Sequence, residues 1–152
     1  MYQILTFLHS TLRWLVLGSL LIAIIQAYRG YNLKLKFKPF DNAIRHWTAT
    51  IAHLQLMAGI ILYVKSPLVK YFWNNPGEAS KKLEFLFFGV LHILLMIIAI
   101  VILTIGSALA KRKEEDQAKF KTMFTWFLIA LIIILLAIPW PFSPLAHRPY
   151  FR

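Results

Sequence analysis

The chain has 152 residues, of which 59% are hydrophobic and only 15% charged. A soluble domain of this size carries about a quarter charged residues and fewer than half apolar ones, so an ordinary water-soluble fold is excluded. The formal net charge of +11 would suggest nucleic acid in a soluble protein, but here the basic residues sit at the ends of apolar blocks, where they meet lipid phosphates. Nucleic acid is therefore not an expected partner. With no cysteine, thiolate chemistry, iron–sulfur clusters and Cys-bound metal are ruled out.

A helix needs about 20 mostly apolar residues to cross the hydrocarbon core, which leaves room for four spans and short connections. The first runs over about 4–28, with a polar opening, His9-Ser10-Thr11-Leu12-Arg13, ahead of an apolar stretch from Trp14 to Ala27. No basic segment precedes it and no small-residue cleavage site follows, so it reads as a retained span. The connection from Arg29 to Arg45 is basic, and Pro39 interrupts the helix there.

The second span covers about 43–64, with Trp47 and Tyr63 placed as an aromatic belt would place them. In the next connection, Leu68 to Trp73 forms an apolar and aromatic piece expected to lie in the membrane interface, before the turn Asn74-Asn75-Pro76-Gly77. The third span covers about 83–109 and stops at the charged run beginning with Lys111. The fourth covers about 120–138, and a Pro-rich aromatic tail with His147 is expected on the membrane surface.

Short connections force neighbouring helices side by side. The expected fold is all-α, a transmembrane up-and-down four-helix bundle, with 1–152 as a single membrane domain. The first and third connections carry five Lys or Arg each, the second four, the tail two and the N-terminus none. By the positive-inside rule the first and third connections are cytoplasmic and both termini non-cytoplasmic.

Ionisable side chains within spans are costly and mark function. They are His9 and Arg13 in the first span, His46 and His53 in the second, and His92 in the third. At 1.5 Å per residue, His9 lies roughly 8 Å from the outer end, His92 roughly 13 Å and His53 roughly 16 Å, one band on three helices. His46 lies near the cytoplasmic end beside Arg45 and Trp47, where it reads as interfacial.

Two imidazoles can hold the iron of a b-type haem in a bundle core. His53 with His92 is the first expected pair, and His9 with His92 the alternative. Gly59 and Gly89 would make room for the plane, and Arg13, four residues after His9, would meet a propionate or else pair with Glu84. The spacing supports one haem.

Other readings stand beside this one. The histidines could serve as interhelical hydrogen-bond partners in an accessory or assembly subunit of a larger membrane complex. His53 with Met57 and His92 with Met96 could form facing nitrogen–sulfur pairs for copper(I). Carboxylates lie only in connections or at span ends, so neither a proton pump nor a hydrolase is indicated.

The segments Leu8-His9-Ser10-Thr11-Leu12-Arg13-Trp14, Ala52-His53-Leu54-Gln55-Leu56 with Gly59 and Leu62-Tyr63, and Ile138-Pro139-Trp140-Pro141 resemble a group of small bacterial four-helix membrane proteins labelled cytochrome b-like. The resemblance runs from about Leu5 to Pro141 and implies one haem b, electron transport and a bacterial cytoplasmic (inner) membrane. It singles out His9, Arg13, His53 and His92 as cofactor residues. Beside the resemblance, the chain's expected partners are the lipid bilayer, a quinone, and a larger complex or a second copy of the chain. The expected role is an electron carrier or oxidoreductase subunit passing electrons between a quinol and a partner on the outer side.

Overall fold

A computed structural model describes residues 2–146 and 148; the expectation for His147 lies outside the described residues. Every regular element among them is helical: α1 (Tyr2–Asn32), α2 (Pro39–Lys65), α3 (Pro67–Asn74), α4 (Pro76–Ala79), α5 (Leu83–Leu86), a π turn (Phe87–Leu91), α6 (His92–Arg112) and α7 (Asp116–Ala137). The α5–π–α6 run is one continuous rod. With α1, α2 and α7 it makes four helices long and apolar enough to cross a membrane. The chain is a multi-pass membrane protein built as an all-α four-helix bundle.

Local chemistry sets the boundaries. α1 ends where Lys34 turns left-handed at φ 49°. Leu35 N–H then reaches Gly30 O at 3.0 Å and Lys34 N–H reaches Tyr31 O at 3.3 Å, which closes the last turn as a Schellman motif. Pro39 opens α2, because its fixed φ suits a first helical position and its missing N–H would have had no partner there. Asp41 completes the start by accepting the Lys38 N–H at 2.8 Å. Ser66 serves two helices: its N–H bonds Tyr63 O to close α2, and its hydroxyl accepts from Val69 N–H to open α3. α7 stops at Ala137, ahead of Pro139 and Pro141, neither of which can donate to a helix.

The helices form a ring in which α1 touches α2 and α7, and α6 touches α7 and α2. Lipid offers no hydrophobic gain for helix association, so close approach of small residues must supply the packing. Ala23, Ala27, Ala52, Ala99, Ala110 and Ala130 are all buried where helices meet. Gly30 lies against the Phe120 ring and Gly106 against Trp126, each so tightly that a Cβ would collide. Leu21, Ile22, Leu54, Val101 and Leu136 point outward, the surface a bilayer requires. The bundle therefore has a terminal end, with Tyr2, α3 and the residues after Ala137, and an opposite end with the connections 33–38 and 113–115.

One expectation needs correction and two gain detail. α2 begins four residues earlier than expected, so Asp41 and Arg45 are helical and buried rather than part of a solvated basic connection. The third span is one continuous helix over 83–112, and it contains a π turn at 87–91. The tail folds back onto the bundle: Ile138, Ser143 and Ala146 are buried, and Arg148 pairs with Glu84 and covers the Phe88 ring. The aromatic piece after the second span is the short helix α3, with Val69 and Phe72 turned inward.

Candidate functional site

At the terminal end the helices part around a cavity of about 400 Å³. It falls within the range of roughly 300–1,000 Å³ typical of cofactor and small-molecule sites. Its walls are mainly apolar, with a few convergent polar groups: His9 and Arg13 from α1, Gln55 and Tyr63 from α2, His92 at the start of α6, and Arg148 from the tail. No carboxylate among the described residues lines it.

His92 is fixed from one side. Its Nδ1 lies 2.7 Å from the carbonyl of Ala137. A carbonyl can only accept, so Nδ1 carries the proton and Nε2 keeps its lone pair. The Ala137 carbonyl is available because the residue four positions on is Pro141, which has no N–H to offer it. This backbone brace, which locks tautomer and ring orientation, is the arrangement commonly found behind a ligating imidazole.

His9 enters from the facing helix. Its ring packs on Gly59, where a Cβ would stand 3.0 Å from Cε1, so glycine is what admits the imidazole. Gln55 donates to the His9 carbonyl at 2.8 Å and ties α2 to α1 at the same level. His9 Nδ1 and Gln55 Oε1 are both buried without a hydrogen-bond partner in the structure. Buried polar atoms are nearly always satisfied, so a pair of orphans beside a cavity indicates groups meant for an occupant.

Arg13 is held by aromatic faces. Its guanidinium lies 5.4 Å from the ring centroid of Trp14 and 5.9 Å from that of Trp140, a stacked placement suited to a planar cation. Arg148 keeps one edge on Glu84, so the expected alternative pairing of Glu84 with Arg13 does not form. Two guanidiniums thus border the cavity.

His53 is elsewhere. It is exposed on the outer face of the bundle, with Nδ1 2.7 Å from Ala49 O and Nε2 3.0 Å from Thr104 Oγ1 across the α2–α6 seam. Successive residues turn by about 100° around a helix, so with Gln55 facing α1, His53 two positions earlier points nearly the opposite way. The expected His53–His92 pair is therefore not brought together, while His9, Arg13 and His92 are.

Other expectations fall with it. Met57 is 61% exposed whereas Met96 lines the cavity, so the two His–Met pairs do not face one another. Gly59 and Gly89 are filled against His9 and Phe72 and provide no slot for a planar group. His46 is exposed beside Trp47, as an interfacial residue should be. No group of three or more His, Cys, Asp or Glu able to hold a metal ion occurs among the described residues; a haem iron held by two imidazoles needs no such group.

Sequence reasoning missed Tyr63 and Arg148 as cavity residues. It also missed a second polar cluster at the opposite end. Arg45 is buried and bonded to Asn42 Oδ1 and to the carbonyl and hydroxyl of Ser107, while Asp41 accepts from Gln26 at 2.8 Å. That cluster joins α1, α2 and α6.

The chain matches no family model, no curated protein and no solved structure.

Proposed function

We propose that the chain is a small haem b-binding protein of the bacterial cytoplasmic membrane that carries electrons from a quinol to a partner on the outer side. The observation that carries this reading is the convergence of His9 and His92, from two different helices, on one apolar cavity bordered by Arg13 and Arg148. The donor set fits the group: two imidazoles for the iron and two guanidiniums for carboxylates. When bound, haem supplies one-electron cycling at iron. The protein's part is to hold the ligands, exclude water and place the site near one membrane face.

His92 presents Nε2 with its tautomer set by Ala137. His9 comes from the facing helix, its ring packed on Gly59 and its Nδ1 without a hydrogen-bond partner. Arg13, steadied by Trp14 and Trp140, and Arg148 would meet acidic substituents at the terminal end. The apolar walls of Val16, Leu56, Ile93, Met96 and Ile100 keep the dielectric low.

Protein purified in mild detergent from haem-replete cells should show a reducible b-type spectrum. His9→Ala and His92→Ala should each lose it, and His53→Ala should keep it. A colourless wild-type preparation, with no metal by elemental analysis, sinks the haem reading and leaves the accessory-subunit reading. Loss in His53→Ala with retention in His9→Ala overturns the ligand assignment.

The same reading places the connections 33–38 and 113–115 in the cytoplasm and both termini outside, on the basic residues flanking those connections. Because the chain has no cysteine, single cysteines report topology without background. In intact spheroplasts an impermeant maleimide should label Asn75→Cys and leave Lys36→Cys unmodified. The reverse pattern would invert the orientation.

A further inference from the structure

The π turn directly before His92 raises a question the ligand geometry alone does not answer: what keeps an extra residue in this helix, and what would happen without it. In the π turn the His92 N–H reaches back to Phe87 O, five residues away instead of four. Such a turn amounts to one residue inserted into an α-helix, and the type is rare and concentrated at functional sites. If the turn relaxed to regular α-helix, the segments on its two sides would rotate against each other by about 100°. Both sides are anchored. On the near side Phe87 is fully buried, and Gly89 lies so close to Phe72 of α3 that a Cβ would come within 2.6 Å of the ring. On the far side His92 is bonded to Ala137.

One side chain reaches the middle of this turn. The Tyr63 hydroxyl donates to the Gly89 carbonyl at 2.6 Å, and the same oxygen accepts the Trp73 indole N–H at 2.9 Å. Tyr63 sits at the end of α2 and lines the cavity, while Trp73 belongs to α3. The three groups form a relay from the short terminal helix, through α2, into the turn that orients the imidazole.

We propose that Tyr63 is a positioning residue: its bond to Gly89, reinforced by Trp73, holds the π turn and so keeps His92 aimed into the cavity. The proposal deepens the haem reading of the cavity, but its first readout is independent of haem. In ¹⁵N-histidine-labelled protein, the His92 signal, identified by its loss in His92→Ala, reports the bond from Nδ1–H to Ala137. Tyr63→Phe removes one oxygen. It should shift that signal toward a solvent-averaged tautomer and weaken haem retention by about tenfold, the scale of one lost hydrogen bond.

Deleting Val90 supplies the rescue. It takes out the extra residue and leaves the register on both sides unchanged, so the turn no longer needs holding. Tyr63→Phe combined with the Val90 deletion should regain the wild-type His92 signal and haem retention. Trp73→Phe should give a weaker version of the Tyr63→Phe result. If Tyr63→Phe alone does not fold, the comparison moves to the Val90-deleted background, where it should be silent.

An unchanged His92 signal in Tyr63→Phe overturns the proposal. So does failure of the deletion to restore it, or a Tyr63→Phe effect of full size in the deleted background. A colourless wild type whose His92 signal still responds to Tyr63→Phe would sink the haem reading and sustain this one.

Discussion

Replacing Gly106 by alanine should cost about 2 kcal/mol of bundle stability, whereas the same change at Gly18 should cost nothing. Both glycines are inside membrane-spanning helices, so intrinsic propensity favours alanine by about 1 kcal/mol at each. What separates them is the neighbour. A Cβ on Gly106 would stand 2.1 Å from the Trp126 Cβ, an atom tied to the α7 backbone that no rotamer change can move, whereas a Cβ on Gly18 meets nothing within 4 Å. Overpacking of this kind costs typically 1–3 kcal/mol, and here it must push α6 from α7 at the most extensive contact in the bundle. Unfolding in mixed dodecyl maltoside and SDS micelles, followed by circular dichroism, measures the difference. Equal midpoints for the two variants would show that the α6–α7 seam is looser than its geometry.

How much of this was legible in the sequence depends on which coordinate is asked for. The four spans follow from hydropathy, because crossing hydrocarbon demands length and apolarity and little else. Depth is only partly readable from the fixed rise per residue: His9 and His92 line the cavity at the terminal end, but His53, expected in the same band, does not. Depth is only one coordinate of a side chain, however. His53 lies deeper, where it bonds Thr104, twelve residues along α6 from His92, and it also faces away, because its azimuth depends on which side of α2 meets α1.

A signal for that azimuth was present. Ala52, Gln55 and Gly59 fall on one helical face, small and polar where lipid would want large and apolar, and that face is the inner one. His53 lies off it. The π turn had no comparable signal: Phe87-Phe88-Gly89-Val90-Leu91 reads as ordinary apolar helix, and the reason for the turn lies in Tyr63 and Phe72, which are distant in sequence. Arg148 was unreadable for the same reason, since only the folded tail brings it to Glu84.

Arg45 was misread rather than unreadable, and it leads to the second large expected effect. A basic residue beside a connection counts toward orientation, and Pro39 can equally end a segment or start one. Because Pro39 starts α2, Arg45 falls in its second turn and points into the bundle, 5% exposed. Among the described residues no carboxylate pairs with its charge, and the ion pair is Arg148 with Glu84. Instead Nε and Nη2 donate to Asn42 Oδ1 at 3.2 and 2.9 Å, and Nη1 donates to the Ser107 carbonyl at 3.0 Å and to its hydroxyl.

Ser107 lies toward the C-terminal end of α6, where the helix dipole favours a cation, and Asp41 lies in the first turn of α2, where it favours an anion. Each charge is thus balanced by a helix end as well as by hydrogen bonds. Arg45→Ala strands the Asn42 and Ser107 acceptors and opens a cavity between α2 and α6, and breaking a buried charged network costs about 3 kcal/mol. Arg45→Lys keeps the charge but loses the fork that reaches Asn42 and Ser107 together, so it should fall between the two. The same micelle titration should rank wild type above Arg45→Lys above Arg45→Ala. If Arg45→Ala instead unfolds within about 0.5 kcal/mol of wild type, the shift typical of surface substitutions, the guanidinium is reaching solvent and the cluster holds nothing together.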